Sequence, residues 1–383
     1  MSLLSAPPLS LYIHIPWCVE KCPYCDFNSH ALRGDIPEDE YVTALIKDLD
    51  DDITRFSLQG RTLHSIFIGG GTPSLFSPAT IESLLSQVFA RFDKQENIEV
   101  TLEANPGTVE AKKFDGFAKA GVSRLSIGVQ SFGSDKLIQL GRIHDPKQAI
   151  NAAKLAKNCG VKSFNLDLMH GLPSQHVGQA LDDLKQAIAL EPDHISWYQL
   201  TIEPNTSFYS KPPQLPEDET LWDIQEQGQA LLAEAGYTQY EISAYSKTNK
   251  QSAHNLNYWR FGDYLGIGCG AHGKVTDVNT GNIYRTVKVK HPKGYLTKGR
   301  DALDHLNTVS DDELPFEFMI NQLRLRESFS LEQFEQTTGL ACDVILPTLS
   351  TLADKGLMSN QSEQWQVTQL GHRYLNSVLE AFL

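Results

Sequence analysis

From residue 9 to about residue 201 the chain alternates short apolar runs with stretches whose apolar residues recur at helical spacing, the pattern of successive β–α units. Residues 9–15, 65–68, 99–104, 125–129, 163–168 and 195–201 read as six strands. Between the first two, a helix opens near Glu38 after Pro37 and carries Tyr41, Leu45, Leu49 and Ile53 on one face. Over 78–92, Ile81, Leu84, Leu85, Val88, Phe89 and Phe92 form a second stripe. A third helix is expected to be capped by Thr108 and stopped at Gly121. Asp145 before Pro146 pairs an N-cap with proline at the first helical position, opening a helix that ends at Gly160 with Cys159 packed at its end. Val177, Leu181, Leu184 and Ile188 mark the inward face of the next one. Strands separated by helices predict an α/β fold with a parallel sheet. Six such units curve the sheet toward a partial (β/α)6 barrel, with chemistry at the C-terminal strand ends.

Beyond Pro204 the rhythm changes. Residues 211–216 read as a connector, 217–235 as a helix, and 237–272 are rich in aromatic residues and glycine. Helices are expected over 314–325, 331–337 and 343–355, then a strand-like 365–367 and a last helix. That order suits a small, mainly helical, winged-helix-like C-terminal domain. The chain divides into a core of 1–236, a connecting region of 237–310 and a C-terminal domain of 311–383.

Composition narrows the function classes. A chain of 383 residues suits one large domain plus a smaller one. A net charge of −14 argues against nucleic acid as the main partner, because phosphate binding requires a basic face. The C-terminal domain therefore reads as a lid or partner surface. Of six cysteines, three are packed together and three scattered, which is not a paired disulfide framework and points to a reducing compartment. No apolar run approaches twenty residues and no signal-peptide pattern opens the chain. A cytoplasmic protein without a transmembrane segment is expected.

The densest chemistry is Cys18-Val19-Glu20-Lys21-Cys22-Pro23-Tyr24-Cys25, three thiols at C-x3-C-x2-C spacing. Soft sulfur ligands select zinc, copper(I) or iron–sulfur clusters. A structural zinc site usually takes two separated ligand pairs, and no second pair exists here. A [4Fe–4S] cube held by three cysteines leaves one iron open. A zinc site completed by His14 or His30, and three unrelated buried thiols, stay open on spacing alone. One β–α unit later, Gly69-Gly70-Gly71-Thr72-Pro73 follows a strand. It is either a tight strand-to-helix turn or a place where backbone approaches a ligand closely.

The cysteine spacing, with Tyr24 before the last thiol, resembles the radical S-adenosylmethionine (SAM) superfamily. The match narrows to its coproporphyrinogen-oxidase-like branch over Tyr12-Ile13-His14-Ile15-Pro16-Trp17-Cys18, Gly69 to Pro73, Leu102-Glu103-Ala104-Asn105-Pro106, Ile127-Gly128-Val129-Gln130-Ser131-Phe132 and Asn165 to Pro173, in order. The resemblance implies a radical SAM barrel, a C-terminal domain of the HemN type, and a [4Fe–4S] cluster on Cys18, Cys22 and Cys25. It also implies SAM on the open iron. It places Tyr12 beside the SAM carboxylate, backbone of Tyr24 near the adenine, and Gly70, Gly71 and Thr72 at the methionine end. Glu103, Gln130, Arg142 and Asp167 complete that pocket. Read alone, Glu103 and Asp167 are as readily solvated loop carboxylates. The chemistry implied is one-electron reduction of SAM by a cluster that takes its electron from a donor protein.

Two features separate readings within the branch. The oxidase extends its signature by a further cysteine, where this chain has Phe27 after Asp26, and it carries an extension before its first strand. His254-Asn255-Leu256-Asn257-Tyr258-Trp259 resembles the H-N-x-x-Y-W motif of the heme-chaperone group, which implies His254 as a heme ligand flanked by aromatic rings. A lone histidine among aromatics is otherwise a core residue with a satisfied hydrogen bond. Cys269 and His272 are reserve ligands. Two functions are carried forward. One is a heme chaperone that binds the cluster, SAM and heme and delivers heme to acceptor hemoproteins. The other is an oxygen-independent coproporphyrinogen III oxidase. A zinc-stabilised binding module is a third, and whether the chain is an enzyme stays open.

Overall fold

The computed structural model describes residues 4–383. Six strands, β1 Leu9–Ile15, β2 Thr62–Gly70, β3 Asp93–Ala104, β4 Arg124–Gln130, β5 Ser163–His170 and β6 His194–Gln199, lie side by side in chain order. Every adjacent pair among them is parallel. The fold class read from the hydrophobic pattern is the one observed. Parallel strands need covering on both faces, and α1 Glu38–Arg55, α2 Pro78–Phe89, α3 Pro146–Asn158 and α4 Val177–Ala189 supply the outer layer. Asp145 caps α3 in a reciprocal capping box with Gln148, and Pro146 occupies the first turn.

Three local expectations are corrected. Thr108 is the first helical residue and Gly107 holds the cap position. What was expected as one helix to Gly121 is two short pieces, Thr108–Ala111 and Phe114–Lys119. At the break, Lys113 donates to the carbonyls of Ser74, Leu75 and Phe76 at 3.0, 2.9 and 3.2 Å, so it secures the turn after Pro73. On α4 the buried face is Ala180, Asp183, Leu184 and Ala187, with Leu181 only half-buried. Asp183 is turned inward because its carboxylate accepts Ser131 Oγ and Phe132 N–H, both at 2.7 Å. A helical stripe is thereby rotated to serve the loop after β4.

Residues 237–310 are more than a connection. After α5 Asp218–Glu234, the hairpin β7 Thr238–Glu241 and β8 Ala244–Ser246 pairs antiparallel onto β6. Then α6 Ala253–Trp259 leads to β9 Asp263–Ile267, which pairs parallel with β1 at the other side of the sheet. β10 His272–Asp277, β11 Asn282–Lys288 and β12 Leu303–Thr308 continue it antiparallel, giving the order β12-β11-β10-β9-β1-β2-β3-β4-β5-β6-β8-β7. β9 eludes pattern reading because it is short and Gly266 within it is a poor strand former. Gly266 is needed there, since a Cβ would collide with the His272 carbonyl.

The extension is clamped to α1 by a buried ionic cluster. Lys288 Nζ, fully buried, lies 2.5 Å from Asp48 Oδ1 and 2.7 Å from Asp52 Oδ2. Tyr295 OH and the Gly268 N–H also donate to Asp48.

Helices α7 Leu314–Gln322, α8 Leu331–Thr338 and α9 Leu346–Asp354 pack with a three-stranded sheet, β13 Phe329–Ser330, β14 Met358–Gln361 and β15 Gln364–Val367, in the order β13-β15-β14. Phe318, Phe329, Phe334 and Trp365 form its core, which Phe261 and Ile283 join from the sheet extension. Among the described residues no helix is long and apolar enough to cross a membrane.

Candidate functional site

The cysteine loop leaves the C-terminal end of β1 and returns on itself. Trp17–Cys18 pairs with His30–Ala31, and Leu32 N–H donates to Cys18 O at 2.8 Å. All three cysteines are free thiols, Cys18 buried and Cys22 and Cys25 half-buried. Burial pushes the Cys18 and Cys25 thiols above their usual range; Ser29 opposes this by hydrogen bonding to both, and at Cys25 the Lys21 charge opposes it too. Among the described residues no three His, Cys, Asp or Glu side chains already stand at metal-ligating separation.

The three thiols are a donor set that suits a three-thiolate cluster, and of the two histidines that could complete a zinc site His14 is already committed. Both ring nitrogens of His14 are engaged, Nδ1 with Tyr12 OH and Nε2 with the Asn28 carbonyl, each at 2.9 Å. His30 packs its ring 5.3 Å from that of His291 and leaves Nε2 without a partner.

The glycine turn is laced to this loop. Gly71 N–H donates to Ile15 O at 2.7 Å and Thr72 N–H to Trp17 O at 2.8 Å. A Cβ on Gly71 would lie 2.5 Å from the Trp17 carbonyl oxygen. One on Gly70, where φ is +115°, would lie 2.5 Å from the His14 ring. Glycine is required at Gly71 by the close approach of the Trp17 backbone and at Gly70 by the positive φ and the His14 ring, so the turn sets where the first cysteine sits.

Beneath the loop runs a polar chain. Asn105 Nδ2 donates to Thr72 Oγ1 at 3.1 Å, Arg142 Nη2 to Asn105 Oδ1 at 2.8 Å and to Gly128 O at 2.6 Å, and Arg142 Nη1 to Cys22 Sγ at 3.6 Å. Arg142 Nε is buried without a partner. A guanidinium so placed offsets thiolate charge and still has a donor to give. Gln130 sits at φ +69° on a bulge of β4, with Nε2 close to Gly128. Asn105 lies in a motif quoted from the sequence, yet its bridging role between Thr72 and Arg142 is visible only in three dimensions. Tyr24 does not point the same way as the glycine turn. Its ring packs 6.4 Å from Phe208 in a separate apolar cluster.

Tyr12, Glu103 and Asp167 project into the barrel. Glu103 Oε2 accepts Gly70 N–H at 3.0 Å, and Asp167 is held by Ser126 Oγ at 2.9 Å, Asn165 Nδ2 at 2.8 Å and Tyr198 OH at 3.2 Å. Burial, reinforced by the Asp167 carboxylate, pushes the Glu103 carboxyl up from 4.5 to about 8. The folded chain then binds a proton that the unfolded chain releases, so this residue's penalty is absent below pH 4.5, grows to about pH 8 and is constant above it. Glu103→Gln is expected to raise the thermal midpoint over wild type at pH 9 and to match it at pH 4.5. Melting curves across that range check the sign, and a gap that narrows as pH rises would contradict it.

His254 sits in the first turn of α6. Glu99, from β3, caps that helix by accepting the Ala253 and His254 N–H groups, both at 3.2 Å. His254 Nδ1 lies 3.1 Å from Ser65 Oγ, Ser65 Oγ 2.7 Å from Ser10 Oγ, and Asn257 Nδ2 donates to Ser10 Oγ at 2.9 Å. The direction that satisfies every hydroxyl runs from Asn257 through Ser10 and Ser65 to Nδ1. Burial keeps the imidazole neutral, lowering it to about 3. The ring packs 5.2 Å from Phe67. Cys269, a reserve ligand, is buried with Sγ 2.7 Å from Lys290 O, and its thiol is pushed up to about 12, whereas His272 faces open space.

One cavity of about 840 Å³, within the roughly 300–1,000 Å³ of small-molecule sites, lies between the barrel mouth and α6. Tyr12, Gly70 and Glu103 line it from the barrel, and His254, Tyr258 and Trp259 from α6. Phe27, 58% exposed, lies on its rim. Arg142, Gln130, Asp167 and Tyr24 do not line it.

The radical SAM superfamily profile matches residues 12–184 and the HemN C-terminal domain profile residues 309–374. Heme chaperone HemW of Haemophilus influenzae is 57% identical over 98% of each chain. Heme chaperone HemW of Escherichia coli is 56% identical over the full length of both. The solved structure of coproporphyrinogen III oxidase (HemN) from E. coli, a radical SAM enzyme, superposes with a TM-score of 0.82 at 25% identity, covering 98% of this chain and 90% of that one. The superfamily implies a [4Fe–4S] cluster and SAM. With matches of this extent at both ends and across the middle, the chain belongs to the HemW family of the radical SAM superfamily.

Proposed function

We propose that the chain is a heme chaperone of the HemW type, holding a [4Fe–4S] cluster through Cys18, Cys22 and Cys25, SAM beside it, and heme for delivery to acceptor hemoproteins. The observation that carries this reading is the shared cavity, with Tyr12, Gly70 and Glu103 on one wall and His254, Tyr258 and Trp259 on another. When bound, the cluster and SAM supply one-electron redox chemistry, with an electron donor as a further partner. The rest is the work of this chain's side chains. Thr72, Asn105 and Arg142 brace the cysteine loop. Glu103 and Asp167 offer acceptors to hydroxyl or amino groups. Tyr24 brings its backbone close to the last cysteine.

His254 suits an iron ligand because Nδ1 is already fixed by Ser65, which orients the ring and leaves Nε2 for the cavity. Ligation through Nε2 places the hydrogen on Nδ1, so the Ser10–Ser65 relay reverses and Ser65 becomes the acceptor. Anaerobically reconstituted protein is expected to take up heme and pass it to an apo-hemoprotein while leaving coproporphyrinogen III unconverted in the presence of SAM and a reductant. Conversion to protoporphyrinogen IX with SAM consumption would overturn the chaperone reading in favour of the oxidase.

A further inference from the structure

The cavity has two chemically distinct walls. Phe67, Tyr258, Trp259 and Tyr264 make an aromatic one beside His254. Facing the cavity from the cysteine loop and the ends of β10 and β11 are Lys21, His30, His272 and Lys290. The loop and strand ends are tied together by Asn28, whose amide donates to Cys269 O and Lys290 O, both at 2.9 Å. Gly270 is needed there because a Cβ would strike Asn28.

The cations on this wall differ from the others nearby. Lys274 is paired with Asp263, Lys288 with Asp48 and Asp52, and Arg285 with Glu317. Lys290 and Lys21 are exposed, and among the described residues neither forms an ion pair. Lys21 Nζ meets only the Phe27 carbonyl, at 3.2 Å. Burial lowers the basicity of His272 and His30, and Lys290 adds to this at His272 and, more weakly, His291 and Lys21 at His30, so charge and imidazole stand together at both ends of the wall. Asp26 lines the same rim without pairing with either lysine. In a chain of 47 acidic and 33 basic residues, two lysines left without carboxylates on one cavity wall are a site for carboxylates from outside.

We propose that Lys290 and His272, with Lys21 across the rim, form a carboxylate-binding subsite that takes the propionate side chains of a tetrapyrrole whose macrocycle lies against the aromatic wall. The inference rests on the heme reading above and adds how the ligand is oriented: carboxylates toward the open rim, ring inward, iron toward His254. Lys290 orients the ligand and touches no reacting atom.

The test uses full-length, anaerobically reconstituted protein and two probes, heme and heme dimethyl ester, whose carboxylates are masked. An exposed lysine–carboxylate pair contributes up to about fivefold in affinity. Wild type is expected to prefer heme over the ester by about 25-fold from two lysines. Lys290→Gln should lower that preference to about fivefold, Lys21→Gln/Lys290→Gln should abolish it, and Lys290→Arg should keep it. Iron and sulfide content and SAM affinity should stay at wild-type level in Lys290→Gln. A SAM affinity that falls instead would assign the wall to the SAM carboxylate and overturn the proposal. So would an ester penalty of the same size in wild type and double variant. A wild type that binds neither probe would overturn the heme reading itself.

Discussion

Cys22→Ser, reconstituted anaerobically, is expected to return almost no iron or acid-labile sulfide while keeping the far-ultraviolet circular dichroism of wild type. Only three thiols stand on this loop, and two of the candidate fourth ligands are already committed. His14 has both nitrogens engaged, and Cys269 is buried against Lys290 O. A serine hydroxyl is a hard donor that stays protonated at neutral pH, so two thiolates remain for a cluster that needs three. The fold is expected to survive because the Cys22 thiol is half-buried and its partners, Arg142 Nη1, the Gly141 carbonyl and Tyr24, are a few weak contacts at the loop. Iron and sulfide near wild-type content would remove Cys22 from the ligand set. A variant and wild type that both hold zinc without sulfide would replace the cluster by a zinc site.

Lys288→Ala is expected to be the most destabilising single change outside the cysteine loop. Asp48 and Asp52 are fully buried; Lys288 pairs with both, and Arg55 also pairs with Asp52 at 2.7 Å, so the loss falls chiefly on Asp48. Removing one member of a buried ionic group leaves uncompensated charge and costs about 3–5 kcal/mol. Burial already pushes the Asp52 carboxyl up to about 6 with Lys288 present. Without the lysine it rises further, so the loss in denaturant stability should be largest above pH 7 and shrink toward pH 5, where the folded state can protonate. The cluster pins β11 and the Gly268 turn to α1, so cavity residues His272 and Lys290 should lose order with it. A triple change to Asp48→Asn, Asp52→Asn and Lys288→Met removes the charges together and should recover much of the loss. An unchanged denaturation midpoint in Lys288→Ala would contradict the account of how the sheet extension is held.

The six-strand barrel was legible because its determinants are local. β1 spans Leu9–Ile15, the very run its apolar pattern marks, and the Asp145–Pro146 start of α3 is written in adjacent residues. What escaped is defined by partners far along the chain. Ser65 orients His254 from 189 positions away, Glu99 caps α6 across 155, and Asn28 joins the cysteine loop to Cys269 across 241. None of these residues has an unusual local pattern. β9 escaped for a different reason: its glycine, Gly266, is demanded by the neighbouring His272 backbone and dilutes the strand signal. On α4, Asp183 breaks an apolar stripe to hold the loop after β4, an inward carboxylate that periodicity reads as a surface position.

The central claim is that one cavity receives heme against His254 next to the cluster and SAM residues. Titrating heme into anaerobically reconstituted wild type and His254→Ala, and following the Soret band, tests it most directly. Wild type should saturate at one heme per chain. His254→Ala, with cluster content unchanged, should bind at least about tenfold more weakly, the factor that corresponds to loss of about 1.4 kcal/mol. Equal affinity and an identical Soret band in the two proteins would contradict the account.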